Sequence, residues 1–197
     1  FSKGILESTQ RLERIVELLV DFSAMEAGRL APKRTPVDIG EVVGELAKRW
    51  RERTPDHEFV LESIDELPPV VGDERLLRRT IEEMIDNAVK FSPDGGAVSV
   101  KGRRISSNGA EARGMVELAV TDQGIGINPD ELPMIFSDFH QIDGSETRTF
   151  GGLGLGLAFV RRIVEAHAGT IDVTSEPDRG STFTITLPEA PVGLVDN

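Results

Sequence analysis

A two-layer α/β sandwich is the fold class the sequence predicts: a mixed, mainly antiparallel sheet covered on one face by helices and preceded by one long N-terminal helix. Three observations predict it. Apolar residues recur at helical spacing in some stretches and in alternation in others. The strand-like stretches follow no βαβ rhythm of the kind a parallel sheet needs. The first 29 residues hold no proline and repeat apolar residues every seven positions. With 197 residues, 39% of them hydrophobic and 28% charged, the chain suits one domain of about 150 residues plus an appendage.

The N-terminal helix carries Ile5, Leu12 and Leu19 at seven-residue intervals with Ile15 and Phe22 filling the intermediate positions of the repeat, and Leu6, Val16, Leu18 and Val20 widen its apolar surface. An amphipathic helix packed on its own domain would explain part of this. The excess predicts a seam seeking a partner helix. Gly28, Pro32 and Pro36 break the pattern, so residues 1–31 form one unit, 32–37 a linker, 38–188 the main domain and 189–197 a tail.

Asp38 and Glu41 read as the cap of a second helix whose inner face is Ile39, Val42, Val43, Leu46 and Trp50. Glu58 to Ser63 reads as a strand, and Pro68-Pro69 as a turn. Asp73 caps a third helix with Leu77, Ile81, Met84, Ile85 and Ala88 inward, stopping near Ser92. Val98 to Ile105 and Met115 to Thr121 form two antiparallel strands across a polar loop. Gly124 to Gly152 shows little apolar periodicity outside Leu132 to Phe139, which predicts a poorly anchored lid. Gly152 to Ala168 reads as a glycine-led helix, and Thr170 to Thr174 with Ser181 to Leu187 close the chain as a strand pair.

Composition excludes several functions. A formal charge of −12 argues against general attraction to nucleic acid or an anionic membrane surface, so any phosphate must be held by local groups. The absence of cysteine rules out disulfides and thiolate metal sites and leaves the compartment open, with the cytoplasm as default. No apolar run approaches the roughly 20 residues of a membrane span, and the stretch from Phe1 lacks the zones of a signal peptide.

Three segments carry chemistry. On the third helix Glu83, Asn87 and Lys90 stand at i, i+4 and i+7, so a carboxylate, an amide and an ammonium share one polar row. A solvated helix edge would look the same, and the row alone decides nothing. Asp122-Gln123-Gly124-Ile125-Gly126 follows an apolar strand, putting a carboxylate at a strand end beside two glycines where backbone can approach a flat ligand closely; an ordinary turn uses the same residues. Gly151-Gly152-Leu153-Gly154-Leu155-Gly156-Leu157 places glycines, each costing about 1 kcal/mol in a helix interior, where a helix begins. Free N–H groups and the dipole make such an end an anion site. The run is neither a dinucleotide fingerprint nor a P-loop; the competing reading is a flexible hinge.

In this order the segments resemble the histidine kinase branch of the ATPase superfamily that includes gyrase and MutL-type proteins. Met84 to Phe91 is similar to that family's asparagine box, Asp122 to Ile127 to its first glycine box, Gly151 to Leu157 to its second, Phe136 and Phe139 to its phenylalanine box, and Gly180-Ser181-Thr182-Phe183 to its last motif. Leu19 to Gly28 resembles the end of the second helix of the family's dimerisation hairpin.

The resemblance implies a Bergerat-type ATP-binding fold and a set of roles. Asn87 would offer its amide oxygen to Mg²⁺ on the phosphates of ATP, and Asp122 would accept from the adenine amino group. Gly152, Leu153, Gly154, Leu155 and Gly156 would hold phosphate through backbone, with Lys90 and Arg148 assisting. Gly124, Gly126, Ile127 and Thr182 would complete the nucleotide site, and Glu83, Asn87 and Lys90 would be catalytic. It further implies transfer of the γ-phosphate to a histidine of the protein's own hairpin, in a homodimer, and relay to a response regulator, in a cytoplasmic segment whose parent can be anchored in the inner membrane.

Three departures qualify these expectations. None of His57, His140 and His167 lies in the family's His-acid-Leu-Arg-Thr-Pro setting, so the acceptor is expected upstream of Phe1 and isolated autophosphorylation is not expected. His140 and Gln141 replace an aromatic and an arginine common after Phe139. Glu83 stands where most of these kinases have a second asparagine and gyrase-like relatives a water-activating glutamate. A nucleotide-responsive binding module and an ATP-hydrolysing conformational machine are the competing functions.

Overall fold

The computed structural model describes residues 9, 16, 19–25, 27–28, 31–106, 114–138, 140 and 154–191. Helix α1 is described over 19–25. There follow β1 (Thr35–Val37), α2 (Ile39–Arg53), β2 (His57–Glu62), β3 (Val70–Gly72), α3 (Glu74–Lys90), β4 (Gly96–Ile105), β5 (Met115–Thr121), α4 (Gly156–Ala166), β6 (Thr170–Glu176) and β7 (Gly180–Pro188). The main sheet has the order β2-β4-β5-β7-β6. Only the β2–β4 pair is parallel, so the sheet is mixed and mainly antiparallel, as the sequence predicts.

Alternation decides which face the helices cover. Val98, Val100, Val116, Leu118, Val120, Phe183, Ile185 and Leu187 are buried and meet Val43, Leu46, Leu77, Ile81, Met84, Ile85, Val160 and Val164 of the helices. Each such side chain contributes about 1.5–3 kcal/mol by leaving water. Lys101, Arg103, Glu117, Thr170, Asp172 and Thr174 lie on the other, open face.

The two aspartate caps form as read: Asp38 accepts from the Glu41 N–H at 3.0 Å and Asp73 from the Leu76 N–H at 3.3 Å. Among the described residues no side chain caps helix α4; its first residues follow Leu155, whose own side chain is buried. This helix starts at Gly156, four residues later than expected.

Two expectations change. Thr35 to Val37 belong to no linker: they form β1, paired antiparallel with β3, and Val37 enters the core. The tail residue Ala190 is buried, and its N–H donates to Pro69 O at 2.7 Å. Secondly, the first half of the expected lid is anchored. Ile127 and Ile135 are buried, with Leu132 and Phe136 packed against the same core.

Helix α1 is docked on α3 and α4. Asp21, 7% exposed, accepts from Arg75 at 3.2 and 3.3 Å and from Arg79 at 3.1 Å. The Arg162 guanidinium stands 4.3 Å from the Phe22 ring centroid, and Phe22 and Met25 pack on Leu76, Leu155, Phe159 and Ile163. Val16, Leu19 and Val20 remain exposed. One face of the helix is satisfied by its own domain and an apolar face is left over.

His167 ties the start of α3 to the end of α4. Asp73 N–H can only donate, so Nε2 accepts it at 3.0 Å and Nδ1–H donates to Ile163 O at 2.7 Å. Burial pushes this imidazole below its usual range. A histidine neutral when folded stabilises fully above its unfolded pKa of about 6.5, and that contribution fades as the pH falls below it. Urea unfolding at pH 7.5 and 5.5 should show wild type losing more stability than His167→Asn over the same interval.

Candidate functional site

The site assembles where the C-terminal half of α3, the start of α4 and the ends of β5 and β7 meet. On α3, Asn87 is half-buried, and its Nδ2 has no hydrogen-bond partner among the described residues although no solvent reaches it. A buried donor without a partner costs about 1–3 kcal/mol, which marks this NH₂ as a group awaiting an acceptor. The Lys90 ammonium lies 4.7 Å from the Phe91 ring centroid.

Glu83, one turn before Asn87, reaches across to α4. Its Oε2 lies 2.8 Å from where a side chain on Gly156 would begin. The glycine thus makes room for a carboxylate at the N-terminus of α4, where negative charge is favoured. Gly154, with φ +67°, turns the chain into that helix, and Leu155 anchors the turn in the core.

Asp122 is 4% exposed. Its Oδ1 accepts from the Gly124 N–H at 2.9 Å and the Ser181 N–H at 3.2 Å. Oδ2 has no partner among the described residues. Burial raises the pKa of this carboxyl, opposed by the two backbone hydrogen bonds. A desolvated acceptor, fixed through one oxygen and free at the other, can receive a donor from a ligand.

The glycines beside it serve a different purpose from the one their sequence suggests. The place of a Gly124 side chain is filled by Phe91 O and Ser92 Oγ, and Ile125 N–H donates to Phe91 O at 3.0 Å. At Gly126, with φ +67°, it is filled by Glu176 O, while Asp178 N–H donates to Ile125 O at 2.8 Å. At Gly180, with φ +92°, it is filled by Asp122 O. These glycines let the chain's own backbone close on the 122–127 loop from both sides.

Thr182 faces away. Its hydroxyl bonds Thr121 Oγ1 at 2.9 Å, on the sheet face opposite the buried Phe183. Ser181, of the Phe183 face, stands beside Asp122 instead and was overlooked. So was Ser175 of β6, whose Oγ meets Ile127 N–H, Gly180 O and Ser181 Oγ. The signal was available: residues two apart on a strand share a face, so a core Phe183 already assigns Ser181 to the site.

Phe136 packs edge-on against Phe183, ring centroids 6.4 Å apart. Past it, Asp138 pairs with Arg162 at 2.7 Å and His140 with Glu131 at 2.9 Å. Phe139, Gln141, Arg148, Gly151, Gly152 and Leu153 lie outside the described residues. His57 is half-buried, with Nε2 on Ser92 O at 3.0 Å. Among the described residues no group of three or more His, Cys, Asp or Glu could hold a metal, and no helix is long and apolar enough to cross a membrane.

The family model of histidine kinase-, DNA gyrase B- and HSP90-like ATPases matches residues 72–191. The chain is 35% identical over 191 residues to the sensor-like histidine kinase SenX3 of Mycobacterium tuberculosis (strain ATCC 25618 / H37Rv), covering 95% of this chain and 44% of that protein. The structure of the mycobacterial sensor histidine kinase MprB is 35% identical, with a TM-score of 0.66 over 81% of this chain and 99% of that one. Full-length ShkA in complex with AMPPNP is 29% identical, with a TM-score of 0.75 over 96% of this chain and 38% of that one. The chain spans less than half the length of the curated relatives named sensor kinases that it matches.

Proposed function

The chain belongs to the histidine kinase-, DNA gyrase B- and HSP90-like ATPase family, on its sensor histidine kinase branch, and from that premise we propose that it binds Mg·ATP and transfers the γ-phosphate to a histidine of its parent protein's hairpin. The observation that carries this reading is Asp122. A carboxylate held out of water, with one oxygen pinned by two backbone N–H groups and the other without a partner among the described residues, is suited to the exocyclic amino group of adenine. A 6-carbonyl would face it acceptor to acceptor.

Asn87 fits a magnesium ligand through its amide oxygen, its unpartnered Nδ2 being a donor that would be left for a phosphate or water oxygen, and Mg²⁺ takes few protein ligands beside water and phosphate oxygens. A bound Mg²⁺ would neutralise charge on those oxygens. The chain's own part is positioning. Backbone N–H groups at the start of α4, from Gly154 to Gly156, suit phosphate, with Lys90 and Arg148 as cations and Gly152 and Leu153 as further backbone contacts. Ile127, Gly124 and Gly126 hold the adenine loop. A chain of net charge −12 needs such local groups to hold a polyanion.

The three histidines make poor acceptors: His167 has both nitrogens hydrogen-bonded inside the core, and His57 and His140 are paired with Ser92 and Glu131. The acceptor is therefore sought on the hairpin whose second helix 19–28 resembles, in a homodimer, with onward passage to a response regulator aspartate on the cytoplasmic side. Supplied with Mg·ATP and a separate hairpin from its parent, the chain should place acid-labile phosphate on the hairpin histidine. None should appear on the chain incubated by itself. Phosphate on the isolated chain, or none on either, would overturn the assignment.

A further inference from the structure

Ser175 belongs to no motif of the site, yet its hydroxyl joins three segments of it. Ile127 N–H approaches at 2.8 Å, Gly180 O at 3.0 Å and Ser181 Oγ at 2.9 Å. The backbone N–H can only donate and the carbonyl can only accept, while a serine has one proton. A single assignment makes all three bonds. The Ser175 proton goes to Gly180 O, and Ser181 must give its own proton to Ser175. Ser181, whose backbone N–H is on Asp122 Oδ1 at 3.2 Å, then keeps only lone pairs for a ligand. The ionised Asp122 likewise only accepts.

We propose that Ser175 is a specificity-determining positioning residue, which by holding the Ser181 proton keeps the Asp122 edge of the site free of donors and so selects a 6-amino purine over a 6-oxo purine. The inference rests on the ATP-binding function proposed above and adds the residue that sets its base preference. Ser175 acts through its hydrogen bond to Ser181.

The test is calorimetric titration of the full chain with Mg·ATP and with Mg·ITP, which carries a carbonyl at position 6. In Ser175→Ala the Ser181 proton is released to meet that carbonyl, so the preference for ATP over ITP should fall about tenfold, the worth of one hydrogen bond. Ser181→Ala has no proton to release, so its preference should stay well above that of Ser175→Ala. The double variant should regain it. Should Ser175→Ala fail to fold, Ser175→Cys, whose thiol is a weak acceptor, serves in its place. An unchanged preference in the Ser175 variant, or a double variant as relaxed as the single one, overturns the inference. A wild type that binds neither nucleotide instead removes the ATP-binding function itself.

Discussion

Asp122→Asn is expected to weaken Mg·ATP binding by about 100-fold or more while leaving folding nearly untouched. Both halves follow from the carboxylate's partners. The Gly124 and Ser181 N–H groups need an acceptor where Oδ1 now lies, so an asparagine must turn its carbonyl oxygen there. Its amino group then occupies the Oδ2 position. A donor would face the ligand's donor, and a charge-assisted hydrogen bond worth about 1.5–3 kcal/mol is replaced by a mismatch. Folding loses little, because the backbone bonds persist and a desolvated charge is removed. Calorimetric titration measures the first half and urea unfolding the second. Equal affinity in the two proteins would remove Asp122 from the adenine site.

What the sequence made legible was whatever is decided locally. The Asp38 and Asp73 caps depend on residues three positions away, and β5 matched its reading at both ends because strict alternation on a half-buried strand leaves no other register. What needed a distant partner stayed hidden. Strands β1 and β3 are three residues each, and Thr35 pairs with Gly72, so neither carries enough alternation to be seen. The glycines of the 122–127 loop were found for the wrong reason. Their side-chain space is taken by Phe91 and Glu176, residues that only the fold brings there. A glycine in sequence states that something comes close; it does not state what.

Thr182 and Ser181 show the opposite case, where a legible fact went unused. Phe183 had to point inward, and strand alternation then sends Thr182 outward and Ser181 toward Asp122. The helix row behaved similarly. Glu83, Asn87 and Lys90 do share one side of α3, but the sequence could not show that Glu83 leans over Gly156. That contact joins the asparagine helix to the glycine-led helix, and it converts an ambiguous surface row into a candidate for chemistry.

The contact leads to the second large effect, in which Glu83→Gln should slow ATP hydrolysis by about 10² to 10⁴ while leaving nucleotide affinity nearly unchanged. The carboxylate stands between Asn87 and the start of α4, the two places proposed to hold the metal-bound phosphates. A base there can take a proton from water as the water oxygen attacks the γ-phosphorus and ADP departs, and equally from an incoming histidine. Glutamine has the same shape and fills the same space above Gly156, so the fold and the α4 terminus are kept while the basic oxygen is lost. The alternative is that Glu83 only stabilises the α4 N-terminus through its charge, a contribution of about 0.3–1 kcal/mol. That role would lower the melting temperature and leave turnover alone. Steady-state hydrolysis at saturating Mg·ATP separates the two, since saturation removes any difference in affinity. Wild type should turn over slowly and Glu83→Gln far more slowly; equal rates would leave Glu83 as a helix-end charge and return the chain to phosphotransfer without a base of its own.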